Sequence, residues 1–115
     1  MTEKIDHSND LEQQSPLSLM IVEDNEAQLK TLSVIMQDKG FQVDPCRTAA
    51  EAMEHFERDG AGVVVLDLDL PDANGMEVLR KLADRSGVPI ILHTAFSSFE
   101  SARDAVNLGA FAYVE

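Results

Sequence analysis

Cysteine is nearly absent from this 115-residue chain, with Cys46 standing alone. A single cysteine excludes an intramolecular disulfide and any site built from several thiolates. Basic residues are scarce as well, 9 Lys and Arg against 21 Asp and Glu, for a formal charge of -12. That balance repels phosphate backbones and anionic lipid, so direct binding of nucleic acid or membrane by this segment is not expected. No apolar run approaches the roughly 20 residues that a bilayer span needs. Residues 1–14 lack the basic, apolar and small-residue progression of an export signal. The expectation is a soluble, cytoplasmic protein. The length allows one domain and excludes a multidomain enzyme.

What is present begins with a polar start. Residues 1–16 carry Glu3, Asp6, Asp10 and Glu12 against Lys4, end in Ser15-Pro16 and show no apolar periodicity. They read as a disordered tail. From Leu17 short apolar runs alternate with stretches of helical spacing, the rhythm of βα units. Leu19–Val22 is the first expected strand. A helix with Leu29, Leu32, Ile35 and Met36 on its inward face follows, and Gly40 stops it. Phe41–Cys46 is a weaker strand, and Pro45, which has no amide hydrogen, assigns it to the sheet edge or marks its end. Thr48-Ala49-Ala50-Glu51 matches a capping box before a helix lined by Ala52, Met53 and Phe56, which Gly60 and Gly62 break.

Val63–Leu66 is β-branched and apolar on both alternating faces, as a strand covered on both sides must be, and is expected at the centre. A loop from Leu68 to Gly75 leads to a helix using Val78, Leu79 and Leu82. Gly87-Val88-Pro89 then turns into a strand over Ile90–His93. A last helix is expected from about Ser98 to Leu108, with Ala102, Ala105 and Val106 inward and Gly109 at its end, and Phe111–Val114 begins a fifth strand. Five strands alternating with four helices imply a doubly wound α/β parallel sheet with right-handed crossovers. Such sheets bind ligands at the carboxyl ends of their strands.

Three expected strand ends carry informative side chains: Glu23 and Asp24 after the first, Asp67 after the third and Thr94 after the fourth. Three carboxylates in one crevice raise one another's pKa, and desolvation adds to that cost. A bound cation removes the conflict, and oxygen-only ligands favour Mg²⁺.

Glu23-Asp24, Asp67-Leu68-Asp69-Leu70-Pro71-Asp72 through Gly75, His93-Thr94-Ala95 and Gly109-Ala110-Phe111-Ala112-Tyr113 together resemble the receiver domain of bacterial response regulators. The resemblance covers residues 18 to 115. It implies a flavodoxin-like sheet of order 2-1-3-4-5 and a phosphoryl-accepting signalling domain of a two-component system rather than an enzyme in the ordinary sense. It further implies that Asp67 is the acceptor, that the donor is a sensor histidine kinase or phosphotransfer protein, and that Glu23, Asp24, Asp67 and the backbone carbonyl of Asp69 hold Mg²⁺. Thr94 would hydrogen-bond the phosphoryl group, and Tyr113 would turn inward as the switch.

In such domains the positions matching Asp69 and Phe96 tune the lifetime of the phosphoryl group. The family places a lysine, a proline and a fifth helix after the position of Glu115. The expectation is therefore a receiver over residues 17–115 with its final helix missing, an output region beyond Glu115, and a bare face beside the first helix that favours a homodimer.

The simpler readings stand beside these. Gly75 could serve a sharp turn or merely begin a helix. His93, on the opposite strand face from Thr94, is expected to be a packed histidine, while His55 and His7 should face solvent. Cys46 is expected to be a small buried hydrophobe. Arg80, Lys81 and Arg85 should form a solvated helix face. Two other functions use the same residues. One is a haloacid dehalogenase-like phosphatase with Asp67 as nucleophile and Asp69 as acid/base. The other is a receiver-shaped binding module that signals without phosphorylation.

Overall fold

The computed structural model describes residues 17–93 and 112–114. The expected tail, the helix at 98–108, Thr94 and Phe96 lie outside the described residues. The elements are β1 (Ser18–Val22), α1 (Glu26–Asp38), β2 (Gln42–Cys46), α2 (Ala49–Asp59), β3 (Val63–Leu66), α3 (Gly75–Ser86), β4 (Ile90–His93) and β5 (Ala112–Val114). The sheet order is β2-β1-β3-β4-β5 and every pairing is parallel. The expected 2-1-3-4-5 order is thus observed, with β3 at the centre and the Pro45 strand at the edge. No helix among the described residues is long and apolar enough to cross a membrane.

Strand alternation divides the core between the two faces of the sheet. Met20, Val22, Val64, Leu66, Ile90 and Leu92 pack with Ala52 and Phe56 of α2 and with Val78, Leu79 and Leu82 of α3. Leu19 and Ile21 point the other way, joined by Val63 and Val65, and meet Leu29, Leu32 and Met36 of α1. Burial of a side chain the size of Leu66 contributes about 1.5–3 kcal/mol. The outward turn of α1 differs from expectation: Ile35 is 43% exposed and Val34 50%. Only Leu29 of α1 is fully buried, with Leu32 and Met36 partly covered.

Local chemistry explains the helix ends. Asn25 caps α1 by accepting the Gln28 N–H at 2.9 Å, and Asn74 caps α3 by accepting from Met76 at 2.9 Å. At α2, Thr48 Oγ1 accepts the Glu51 N–H at 3.1 Å, while Glu51 Oε1 reaches back to the Arg47 N–H at 2.8 Å. The expected box is therefore present, with its return bond one residue earlier than the usual partner. Gly87 closes α3 in the left-handed region at φ 66°.

His55 also departs from expectation. Its side chain is only 15% exposed, with Nε2 3.3 Å from Asp44 of β2 and Nδ1 3.6 Å from Asp59. The ring lies against the sheet beside an acid of the edge strand instead of in solvent. His93 is partly buried on the α1 face, where it lines an apolar cavity of about 150 Å³ with Ile21, Leu32, Met36, Val65 and Ile91. Cys46 is buried, as expected. Arg80 and Lys81 are exposed, and the side chain of Arg85 lies outside the described residues.

Candidate functional site

Sheet register builds the site. In the parallel pairing of β1 with β3, Val22 stands opposite Leu66, and the Asp67 N–H donates to the Val22 carbonyl at 2.9 Å. The Glu23 N–H donates to the Cys46 carbonyl at 2.9 Å. Two adjacent strands therefore end at one level, and the next residues along each are acids. Glu23, Asp24 and Asp67 each bring a carboxylate oxygen to within 4.8 Å of the others. Glu23 is 3% exposed and Asp67 9%.

Their electrostatics follow from that crowding. Burial pushes Glu23 up from 4.5 to about 7; the Asn25 N–H, donating to its Oε2 at 3.1 Å, opposes the shift, and the carboxylates of Asp67 and Asp24 add to it. A cluster of this kind holds a deficit of positive charge. Three convergent carboxylate oxygens with no nitrogen or sulfur donor fit a hard divalent cation such as Mg²⁺.

The loop after Asp67 is shaped by close backbone packing. The Asp69 N–H donates to Asp67 Oδ1 at 3.0 Å, and Asp69 forms an isolated bridge with Asn74. A Cβ at Gly75 would overlap the Leu68 backbone. This glycine thus serves a close approach rather than an unusual φ. The Asp69 side chain is exposed.

Sequence reasoning missed two residues near the acids. Asp72 accepts the Ala49 N–H at 2.8 Å through Oδ1 and the Ala50 N–H at 3.1 Å through Oδ2. These two bonds hold its carboxyl below the usual carboxylate range. Arg47 donates from Nη2 to the Asp24 carbonyl at 3.5 Å. With Asp24, Thr48, Glu51 and Pro71 it lines an open cavity of about 340 Å³ beside the acids. Pro71-Asp72 reads in sequence as part of the loop and of the receiver-like motif, and no periodicity links it to a helix start over 20 residues away. Of the other expected site residues, Thr94 lies outside the described residues. Tyr113 is placed by its backbone in β5 opposite Leu92, and its side chain lies outside them.

Comparison with known proteins agrees with this arrangement. Residues 19–115 match the family described as the response regulator receiver domain. This chain belongs to that family. It is 38% identical over 97 residues to the sensory transduction protein RegX3 of Mycolicibacterium smegmatis, covering 84% of this chain and 42% of that protein. Identity to the transcriptional regulatory protein PhoP of Escherichia coli is 31% over 99 residues, covering 85% and 44%. The chain therefore spans about two fifths of the length of these relatives.

A CheY-like receiver domain protein from Methanospirillum hungatei superposes with a TM-score of 0.83 at 32% identity, covering 87% of this chain and 81% of the other. The BeF3-activated receiver domain of Klebsiella pneumoniae RstA gives 0.81 at 25% identity, covering 84% and 83%. The receiver is the phosphoacceptor signalling domain of two-component systems. These matches favour a receiver domain over a haloacid dehalogenase-like phosphatase.

Proposed function

We propose that Asp67 of this receiver domain accepts a phosphoryl group from the phosphohistidine of a sensor kinase or phosphotransfer protein. The observation that carries this reading is the convergence of Glu23, Asp24 and Asp67 at the ends of β1 and β3. A carboxylate oxygen of Asp67 attacks phosphorus in line, the phosphorus–nitrogen bond of the donor breaks, and the imidazole leaves with a proton. The acceptor needs no general base, because an ionised carboxylate is already nucleophilic. Mg²⁺ bound by Glu23, Asp24, Asp67 and the Asp69 carbonyl would offset charge on the phosphoryl oxygens. The Asp69 N–H holds the acceptor carboxylate in one orientation through the bond at 3.0 Å.

Thr94 then hydrogen-bonds the phosphoryl oxygens, a contact made in only one of two states, and Tyr113 responds as the switch. This chain's relatives, a sensory transduction protein and a transcriptional regulatory protein, support an output in gene control. A partner region would deliver it, since a charge of -12 repels DNA.

The test is incubation with acetyl phosphate and Mg²⁺ followed by intact-mass and peptide analysis. A hydroxylamine-labile phosphoryl adduct at position 67, absent from Asp67→Asn, is expected. No adduct in the wild type, with acetyl phosphate or beryllofluoride, overturns the reading.

A further inference from the structure

We propose that Asp72 is a positioning residue for the metal-holding loop, tying it to the first turn of α2. The inference rests on the reading of residues 23, 24, 67 and 69 as the Mg²⁺ site. The loop between β3 and α3 carries Asp69, whose carbonyl belongs to that set. It is anchored at its start by the Asp69 N–H on Asp67 Oδ1 and at its end by the bridge from Asp69 to Asn74. Both anchors lie within the loop and its own strand end. Among the described hydrogen bonds of residues 68–74, the two accepted by Asp72 are the ones that reach an element other than the flanking β3 and α3.

The geometry suits a tether. Both carboxylate oxygens are used, one on each of two successive amides that lack partners within their own helix. The carboxylate also meets the positive end of the α2 dipole. Thr48 already caps the Glu51 amide, so Asp72 completes the turn rather than duplicating the cap. Pro71, its neighbour, lines the cavity shared with Asp24, Arg47, Thr48 and Glu51. The same bond pair thus sets the separation of the loop from Asp24 across that cavity. A cap that served stability alone would have no bearing on the acids.

Asp72→Ala removes both acceptors. Asp72→Asn retains the oxygen facing Ala49 and places an amide donor where the Ala50 N–H points, so half of the tether survives. Mg²⁺ binding to the full chain is measured by calorimetry in the absence of any phosphodonor. Hydrogen exchange at the Ala49 and Ala50 amides is followed in parallel, with circular dichroism to establish folding.

The expected result is a loss of affinity of about tenfold in Asp72→Ala, in the range that outer partners of metal ligands contribute. An intermediate loss in Asp72→Asn and faster exchange at both amides in Asp72→Ala should accompany it. Equal Mg²⁺ affinity in wild type and Asp72→Ala, even with a lowered melting temperature, overturns the inference. So does a wild type that binds no Mg²⁺. A wild type that binds Mg²⁺ more tightly than Asp72→Ala yet forms no adduct at Asp67 supports the inference and overturns the phosphoacceptor reading instead.

Discussion

Asp69 donates its backbone N–H to the side-chain oxygen of Asp67, two residues earlier, at 3.0 Å. The acceptor carboxylate is therefore oriented in part by its own chain, while Glu23 beside it shares a hydrogen bond with it when protonated and repels it when ionised. Asn at position 67 can keep this bond through its amide oxygen while removing the negative charge beside buried Glu23. Above about pH 7, where Glu23 is ionised, Asp67→Asn is accordingly expected to stabilise the metal-free protein by on the order of 1 kcal/mol. That raises the melting temperature by roughly 4–8 °C per kcal/mol for a domain of this size. Thermal melts in EDTA check the rise. In saturating Mg²⁺ the order should reverse, because the wild type gains more from binding.

The pH dependence follows from Glu23, which burial and its neighbours push from 4.5 to about 7 in the folded state. Between these values the folded protein holds a proton that the unfolded chain has released. Stability of the metal-free protein should therefore fall as pH rises from about 4.5 to about 7, with a slope of at most about 1.4 kcal/mol per pH unit. The favourable contribution of the protonated form is complete below the unfolded value and lost above the folded one. Urea melts across this range in EDTA measure the slope. Glu23→Gln, which carries no charge at any pH, should remove it.

The parts of this molecule legible in the sequence are those set by short-range pattern. Val63–Leu66 announces a doubly covered strand because all four residues are apolar. The acid trio is legible because the pair Glu23-Asp24 and Asp67 each directly follow an apolar run. Tertiary choices were not legible. Ile35 has helical spacing with Leu32 but lies one 100° step from Met36, at the margin of the stripe, and the helix rolls to bury Leu29 instead. His55 lies largely buried beside Asp44 of the edge strand, and Asp72 finds its partners on another helix. No local rule encodes either pairing.

Ile35 provides a direct check on that roll of α1. At 43% exposure, Ile35→Ala should change stability by no more than about 0.5–1 kcal/mol, as for surface sites. Leu66, which is fully buried between β1 and β4, should cost about 2–5 kcal/mol on truncation to Ala. Chemical denaturation of the two variants separates these values clearly. A large loss at Ile35 would place it in the core and the helix in another rotation.

Cys46 ends β2 with 4% exposure, and its carbonyl accepts the Glu23 N–H. Burial pushes its thiol up to about 11, and the charges of Glu51 and Asp44 add to the rise. The reactive species is the thiolate, so at pH 8 both its low population and its enclosure oppose attack. Iodoacetamide should leave the native protein unmodified over a period in which the urea-unfolded chain is fully alkylated. Because β2 is the edge strand and pairs, among the described strands, with β1 alone, reagent access to Cys46 reports the opening of that edge. Intermediate urea concentrations should therefore expose the thiol at or before the global transition. Rapid labelling of the folded protein at pH 8 would show that the edge strand and α2 do not enclose Cys46.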